Sequence, residues 1–371
     1  MTFAIVTHVE HYTEQDVVSA YGPYVREMNL WLKHVDSALI VAPVSKKSAS
    51  KIDLPYSGQI NRIYRIPSIS LVTIGQVLRT IFLLPVIIWQ IFSVMRKADH
   101  IHLRCPGNIG LLGCMVQIFF PKKPKTAKYA GNWDPDSKQP MSYRFQKWLL
   151  SNTFLTRNMQ VLVYGKWPGS TKNIKPFFTA TYPESKVPSI IEKDFDPPLK
   201  FVFAGSLSPG KRPLFAVQLI EQLNLEGFDS QLSIYGDGMR AEEIRAYISD
   251  HNLGETIHMY GNQSAQVLED AYKDSHFMIL PSKSEGWPKV VAESMFWGSI
   301  PLVTQVSCVS WMLDEGNRGI LLEADLDKDI ESIRNLLNDK SILRNMSISG
   351  QRWSHKYTLD SFEREIVKLL K

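Results

Sequence analysis

Along the chain, short apolar runs alternate with longer stretches in which apolar positions recur at helical spacing. Such alternation predicts βαβ units and parallel sheets, whose strands are buried on both faces. In the first half the strands fall at 3–7 (FAIVT), 38–43 (ALIVAP), 62–67 (RIYRIP), 100–104 (HIHLR), 125–131 (KTAKYAG) and 160–165 (QVLVYG). In the second half they fall at 200–205 (KFVFAG), 231–236 (QLSIYG), 256–261 (TIHMYG), 276–281 (HFMILP), 300–304 (IPLVT) and 319–323 (GILLE). Several end in Gly or Pro, where the chain turns outward into a loop.

The two sets of strands predict two domains, 1–180 and 200–350, with a linker at 181–199 and a C-terminal helix at 351–371 that packs back on the first domain. A length of 371 residues agrees, because it exceeds what one hydrophobic core supports. Ligands of open parallel sheets bind beyond the carboxyl ends of the strands, so two such sheets facing across a cleft would hold a ligand between them. The apolar stretch at 71–95 is long enough to span a membrane, but Gln76, Arg79, Pro85 and Gln90 interrupt it. Lying between two strands of one sheet, it is expected to form a pair of buried crossover helices, with a membrane-facing patch as the alternative.

Composition changes this picture little. Hydrophobic residues at 44% and charged residues at 21% are those of a globular enzyme, and the net charge of +5 is mild. Part of the excess is the run of Lys122, Lys123, Lys125 and Lys128. No aromatic-interleaved basic stripe accompanies it, so anionic lipid headgroups fit that run better than nucleic acid does. Cys105, Cys114 and Cys308 are odd in number and form no C-x-x-C pair, which argues against a disulfide framework and a zinc site. With a strand starting at once and no signal-peptide pattern, a cytoplasmic location is expected, with a peripheral place at the membrane's inner face left open.

Candidate chemistry concentrates in the second half. VFAGSLSPGKRPLFAVQL (202–219) runs from a strand through a Gly/Ser/Pro loop into a helix. Gly205 and Gly210-Lys211 match the first seven positions of a P-loop, but Arg212 stands where Ser or Thr would ligate Mg²⁺. The loop therefore suits an anion without suiting a magnesium nucleotide. In SKSEGWPKVVAESMFWGSIP (282–301), Pro288 and Gly298 bracket a helix of about 288 to 297. Glu285 precedes that helix and Glu293 lies inside it, tilted back toward its start, so both carboxylates can face one pocket beside free helix amides. Carboxylates there repel phosphate and suit the hydroxyls of a sugar and a ribose.

With these segments in view, the chain resembles, over nearly its whole length, the retaining GT-B glycosyltransferases of family 4. SEGWPKVVAESMFWGSIPLVT is similar to that family's E-G-F-P-x-x-x-x-E-A-M-x-x-G-x-P-V-V segment, with both glutamates in place. FAGSLSPGKRP resembles its donor-diphosphate loop, IYGDG (234–238) its I-x-G-x-G strand end, and YGPYVREMNLWLKHV the helix after its N-terminal glycine loop. The resemblance implies an α/β, GT-B fold of two Rossmann-like domains facing across a cleft. It implies metal-independent, retaining transfer of a hexose from a UDP- or GDP-sugar to a glycan or lipid-linked acceptor, with no cofactor. By it, Glu285 would bind donor-sugar hydroxyls, the Gly286 and Trp287 amides would lie near the diphosphate, and Glu293 would bind ribose hydroxyls. Lys211, aided by Arg212, would neutralise the leaving diphosphate, with Gly205, Ser206, Gly236 and Pro288 in the donor site and Gly22 near the phosphates in the first domain. The chain departs from the pattern in three places. Ser206 stands where the family has Arg, Asn132 and Trp133 follow the strand where it has His, and its N-terminal double glycine is reduced to Gly22.

Other signals compete. Asp134-Pro135-Asp136 has the D-x-D spacing of a metal-dependent transferase but reads as a turn. His8 and His11 have His-x-x-His spacing without further ligands, and an acceptor-contacting role fits them better than a metal, as it does Asn132. His100 and His102 share one strand face as structural residues. A UDP-sugar epimerase of the same fold and a non-catalytic nucleotide- or glycan-binding relative are the rival functions. A nicotinamide dehydrogenase is disfavoured because no G-x-G-x-x-G follows the first strand.

Overall fold

The computed structural model describes residues 1–15, 17–45, 47–50, 52–69 and 74–371. It divides into two compact units, Met1–Phe178 with Phe362–Lys371, and Thr179–Ser361. In the first unit the elements are β1 (Thr2–Val6), β2 (His11–Glu14), β3 (Val17–Tyr21), α1 (Gly22–Leu32), β4 (Ser37–Pro43), β5 (Asp53–Pro55) and β6 (Ile60–Ile66). They continue with α2 (Ile74–Lys97), β7 (His100–Cys105), α3 (Asn108–Val116), β8 (Lys125–Tyr129), α4 (Met141–Ser151), β9 (Met159–Tyr164) and β10 (Ile174–Phe177). The second unit begins with β11 (Leu199–Ala204), α5 (Pro213–Leu225), β12 (Ser230–Tyr235), α6 (Ala241–Asp250), β13 (Ile257–Gly261), α7 (Ala265–Asp274) and β14 (Phe277–Leu280). It goes on through α8 (Lys289–Phe296), β15 (Ile300–Thr304), α9 (Val309–Leu313), β16 (Ile320–Leu322), α10 (Leu326–Leu337), α11 (Lys340–Ser354) and the start of α12 (Leu359–Leu370).

Among the described residues the first unit has a parallel sheet in the order β10-β9-β8-β7-β1-β4-β6, and the second has one in the order β13-β12-β11-β14-β15-β16. Each order reverses once, between β1 and β7 and between β11 and β14, which are the switch points where such sheets bind ligands. All twelve expected strands are present within two residues at each end. The pattern missed the antiparallel sheet β2-β3-β5, whose strands are short and largely unburied, and the edge strand β10, where Pro176 withholds a ladder donor.

The apolar stretch forms one continuous helix, α2, rather than a pair, and Pro85 lies inside it. Residues 71–73 and the side chains of Gln76 and Arg79 lie outside the described set. Ile87, Ile91, Val94 and Met95 of α2 join the first unit's core with Val6, Val41 and Leu103, as a crossover helix requires. The window Thr80–Lys97 is apolar and long enough to cross a membrane by composition alone, yet only 28% of it is buried.

The basic run turns inward. The Lys123 ammonium donates to the carbonyls of Met95, Arg96 and Ala98 at the end of α2, Lys125 to that of Phe120 and buried Lys128 to that of Phe178. Only Lys122 of the four is exposed. Cys105 and Cys114, nine positions apart, meet as buried free thiols with sulfurs 3.7 Å apart.

The segment 181–199, expected as a linker, is packed within the second unit. It holds a single 3-10 turn at Glu184–Lys186, and its prolines do not prevent burial. Phe195 is in the core, the Lys193 ammonium donates to the carbonyls of Tyr272, Lys273 and Ser275 at the end of α7, and Ile191 and Gln351 exchange two hydrogen bonds of 2.8 Å. The residues of α12 from Phe362 onward belong to the first unit, where Glu363 pairs with Lys33 and His34 and Glu365 with Lys175.

Candidate functional site

At the second unit's switch point, the loops after β11 and β14 carry the two motif segments. Their backbones are tied together, the Lys283 amide donating to the Gly210 carbonyl at 2.8 Å. The loop after β12 closes a third side: the Leu207 amide donates to Asp237 and the Arg240 amide to Leu207, each at 3.0 Å. This close approach explains Gly236. A Cβ there, at φ 141°, would sit 1.9 Å from the Gly205 carbonyl oxygen, so no other residue fits without moving the loop.

On this frame the Lys211 ammonium donates to a carboxylate oxygen of Glu285, two residues 74 positions apart. The Glu285 side chain is 10% exposed and that of Lys211 27%, so the pair looks into solvent from a largely covered position. Arg212 takes a left-handed backbone (φ 49°, ψ 49°), unfavourable for a side chain, at the threshold of α5, and its guanidinium lies 3.5 Å from the Pro281 carbonyl. Ser206 is exposed, its hydroxyl 3.3 Å from that of Ser208. Neither α5, entered at Arg212, nor α8, entered at Pro288, has a side-chain cap, whereas Ser264, Asp325 and Asp339 cap α7, α10 and α11. Apart from the Phe215 and Val291 amides, which donate to the Arg212 and Pro288 carbonyls, and Pro213, which has no N–H, the first amides of α5 and α8 remain available to an anion.

Distant residues hold the second motif in place. The Gly286 carbonyl accepts from the Ser307 hydroxyl at 3.1 Å and from the Cys308 thiol at 3.3 Å. Trp287 is buried and stacks on Trp353 at 6.0 Å, with Trp311 and Tyr357 beside it, so its ring anchors the loop from below. Glu293 lines a small pocket with Thr181, Tyr182, Trp287, Lys289 and Tyr357, and its carboxylate accepts from the Thr181 hydroxyl at 2.5 Å. Burial pushes the Glu293 carboxyl above its ordinary range, against the Thr181 hydrogen bond and the Lys289 charge, which pull it down. Lys289, one turn before Glu293, was legible at i, i+4 spacing; Thr181, Ser307 and Cys308 had no sequence signal.

A carboxyl raised in the fold is stabilised in its protonated form and loses that stabilisation as pH rises through its folded value. Glu293→Gln, which keeps an acceptor for Thr181, is therefore expected to raise Tm by about 2 °C at about pH 8, with the gain lost as pH falls below the ordinary carboxyl value of 4.5. Thermal scans at a pH on each side of that value test this. A lower Tm at both would show that the carboxylate makes net favourable contacts.

In the first unit, His8 follows β1 at the switch point and is exposed. Gly107 makes room for its ring, since a Cβ there would come 3.0 Å from His8 Nδ1. Partial burial and the Arg104 charge lower its pKa, keeping the imidazole neutral near pH 7. His11 is not available to an acceptor. It is fully buried, Nδ1 lies 2.8 Å from the Val9 carbonyl, and Nε2 lies 2.8 Å from the Tyr56 hydroxyl. Asn132 and Asp134 form a turn, each side-chain oxygen accepting an amide two residues on, so the D-x-D spacing builds a loop. Gly22 opens α1, where a Cβ would meet the Ile52 carbonyl at 2.6 Å, which gives that glycine a packing reason. His100 and His102 are buried against the Thr126 hydroxyl. Among the described residues, no group of three or more His, Cys, Asp or Glu could hold a metal ion.

Residues 190–353 match the family described as glycosyl transferases group 1. An uncharacterized glycosyltransferase of Methanocaldococcus jannaschii is 24% identical over 42% of this chain and 43% of its own length. The lipopolysaccharide 1,6-galactosyltransferase of Salmonella typhimurium is 31% identical over 31% of this chain and 32% of its own length. The chain thus matches less than half the length of these curated relatives. Anabaena HepE, crystallised with UDP and glucose, superposes with a TM-score of 0.66 at 13% identity, covering 100% of this chain and 99% of its own. That likeness shows the fold, which is the GT-B type built from two Rossmann-like units.

Proposed function

We propose, from the match of residues 190–353 to the glycosyl transferases group 1 family, that this chain is a metal-independent, retaining hexosyltransferase. It takes the sugar from UDP- or GDP-hexose and passes it to a glycan or lipid-linked acceptor, in the cytoplasm, during synthesis of a surface polysaccharide or glycolipid. The observation that carries this reading is the Lys211–Glu285 pair at the β11/β14 switch point, flanked by the uncapped starts of α5 and α8. The names of the Salmonella relative and of the UDP-bound Anabaena neighbour support the acceptor class and the uridine donor.

The chemistry follows from charge. Breaking a sugar–phosphate bond places negative charge on the departing diphosphate and positive charge on the anomeric carbon. Lys211, Arg212 and the helix amides stabilise the first of these, aimed at where charge develops. Lys211 exchanges its Glu285 partner for the diphosphate, which frees the carboxylate to accept hydrogen bonds from sugar hydroxyls. A ribose hydroxyl takes the position that the Thr181 hydroxyl holds on Glu293. A leaving phosphate oxygen accepts the acceptor's proton on the same face, so the reaction needs no separate side-chain base.

Thermal unfolding with UDP, GDP, ATP and NAD, each with and without chelator, is the test. A ligand at about a hundred times its Kd adds roughly 2.7 kcal/mol, a shift of several degrees. Stabilisation by UDP or GDP alone, undiminished by chelator, is expected. No response, or one that needs Mn²⁺, overturns the metal-free donor site. Product analysis with donor alone separates transfer from epimerisation.

A further inference from the structure

The first unit carries an apolar surface that the donor chemistry does not use. The crossovers from β6 through β9 all step in one direction, so α2, α3 and α4 cover the same face of the first sheet, packed side by side. On the outward side of that layer Phe82 is 81% exposed, Trp89 65%, and the Phe119 that follows α3 73%. Val86 lies between the first two at helical spacing, and Trp89, Phe92 and Phe119 form a chain of ring contacts. On α4, Phe145 and Trp148 stack at 5.6 Å, and both are exposed. The apolar character of α2 is thus two stripes, one in the core and one facing out, where an ordinary surface helix is polar.

Charge identifies what covers this face. Residues 74–160 contain twelve Lys or Arg against three Asp and no Glu, and although Lys123, Lys125 and Lys128 turn inward to backbone carbonyls, the cations that remain at the surface outnumber the acids. Arg96, Lys97, Lys122, Arg144 and Arg157 are exposed on or beside the three helices. We propose that the outward side of the α2–α3–α4 layer is a docking surface for an anionic lipid bilayer. Its aromatic side chains enter the headgroup region while the Arg and Lys residues meet lipid phosphates. A second copy of the chain would bring the same positive surface against itself, and a nucleic acid leaves the aliphatic Ile81, Val86 and Ile88 without use. The inner stripe of α2 stays in the core, so the surface lies on the membrane without spanning it. This names the membrane partner of the proposed reading, and rests on that reading only in that a lipid-linked acceptor gives the surface its purpose.

The test is co-sedimentation of the full chain with vesicles of phosphatidylcholine alone and of phosphatidylcholine with phosphatidylglycerol, without sugar nucleotide. Binding to the anionic vesicles is expected, with much weaker binding to the neutral ones. Phe82→Ser with Trp89→Ser should weaken it by at least about tenfold. Arg144→Glu with Arg157→Glu should weaken it by about tenfold on anionic vesicles alone. Both variants change exposed positions and should keep Tm within about 2 °C of wild type. Absence of binding to either vesicle overturns the proposal, as does unchanged binding by the Phe82/Trp89 variant. So does a wild-type oligomer that this variant dissolves, which assigns the face to a second copy, or RNA binding in place of vesicle binding. Because no donor is present, a chain that binds vesicles but transfers no sugar refutes the proposed function alone, and the reverse result refutes only the docking surface.

Discussion

Lys211→Ala and Glu285→Ala are each expected to lower kcat/KM for sugar transfer by two to three orders of magnitude, about the effect of removing one preorganised charge from a leaving-group site. Their stabilities should differ. Removing Lys211 leaves a 10% exposed carboxylate without its partner, a desolvated charge that costs about 1–3 kcal/mol, or several degrees of Tm. Removing Glu285 leaves a more exposed ammonium that can swing into water, so Glu285→Ala should melt close to wild type. The double variant should be little worse in kcat/KM than either single one, because the two groups act on one diphosphate and sugar. A folded Glu285→Ala protein with near wild-type transfer would remove this carboxylate from the site. Additive losses would show that the two side chains act independently.

The stability of the first unit should fall steeply in acid, and its buried histidines are the reason. Burial pushes His11 and His100 from 6.5 down to about 4, and lowers His102 well below its ordinary value with added repulsion from His100, Arg104 and Lys128. These imidazoles stay neutral in the fold while the unfolded chain takes up protons near pH 6.5. The unfolded state then binds more protons, so stability present above pH 6.5 is lost as pH falls toward 4. A depression of this size corresponds to on the order of 3 kcal/mol for each of His11 and His100. Amide exchange in β1 and β7 at a series of pH values reads the effect locally, with His100→Gln expected to flatten the decline. Exchange free energies constant between about pH 7 and pH 4.5, or imidazoles titrating near 6.5 by NMR, would refute it.

Both sheets were legible because a strand buried on both faces must be continuously apolar, and twelve such runs stand between helical stretches. The Glu285–Glu293 segment was legible for a similar reason: Pro288 and Gly298 bracket a helix whose geometry fixes where two carboxylates lie relative to its start. The strands of the β2-β3-β5 sheet are short and polar, so their pairing is set by the partner and leaves no periodic trace. The lysines of the 122–128 run illustrate the converse. Their number announced a basic surface, yet three of the four spend their charge on backbone carbonyls at strand and helix ends.

By itself, then, the sequence determined the two α/β units, the strand–loop–helix turn at 202–219 and the placing of the two glutamates about one helix start, because each rests on local periodicity or on residues close along the chain. Only the tertiary structure decided that Lys211 meets Glu285, that Thr181 occupies Glu293, that His11 is sealed beside Tyr56, and that the outer stripe of α2 joins the aromatic residues of α4 on one surface. Those contacts join residues tens to more than a hundred positions apart. Sheet order and crossover handedness bring them together, and neither leaves a mark on the spacing of residues along the chain.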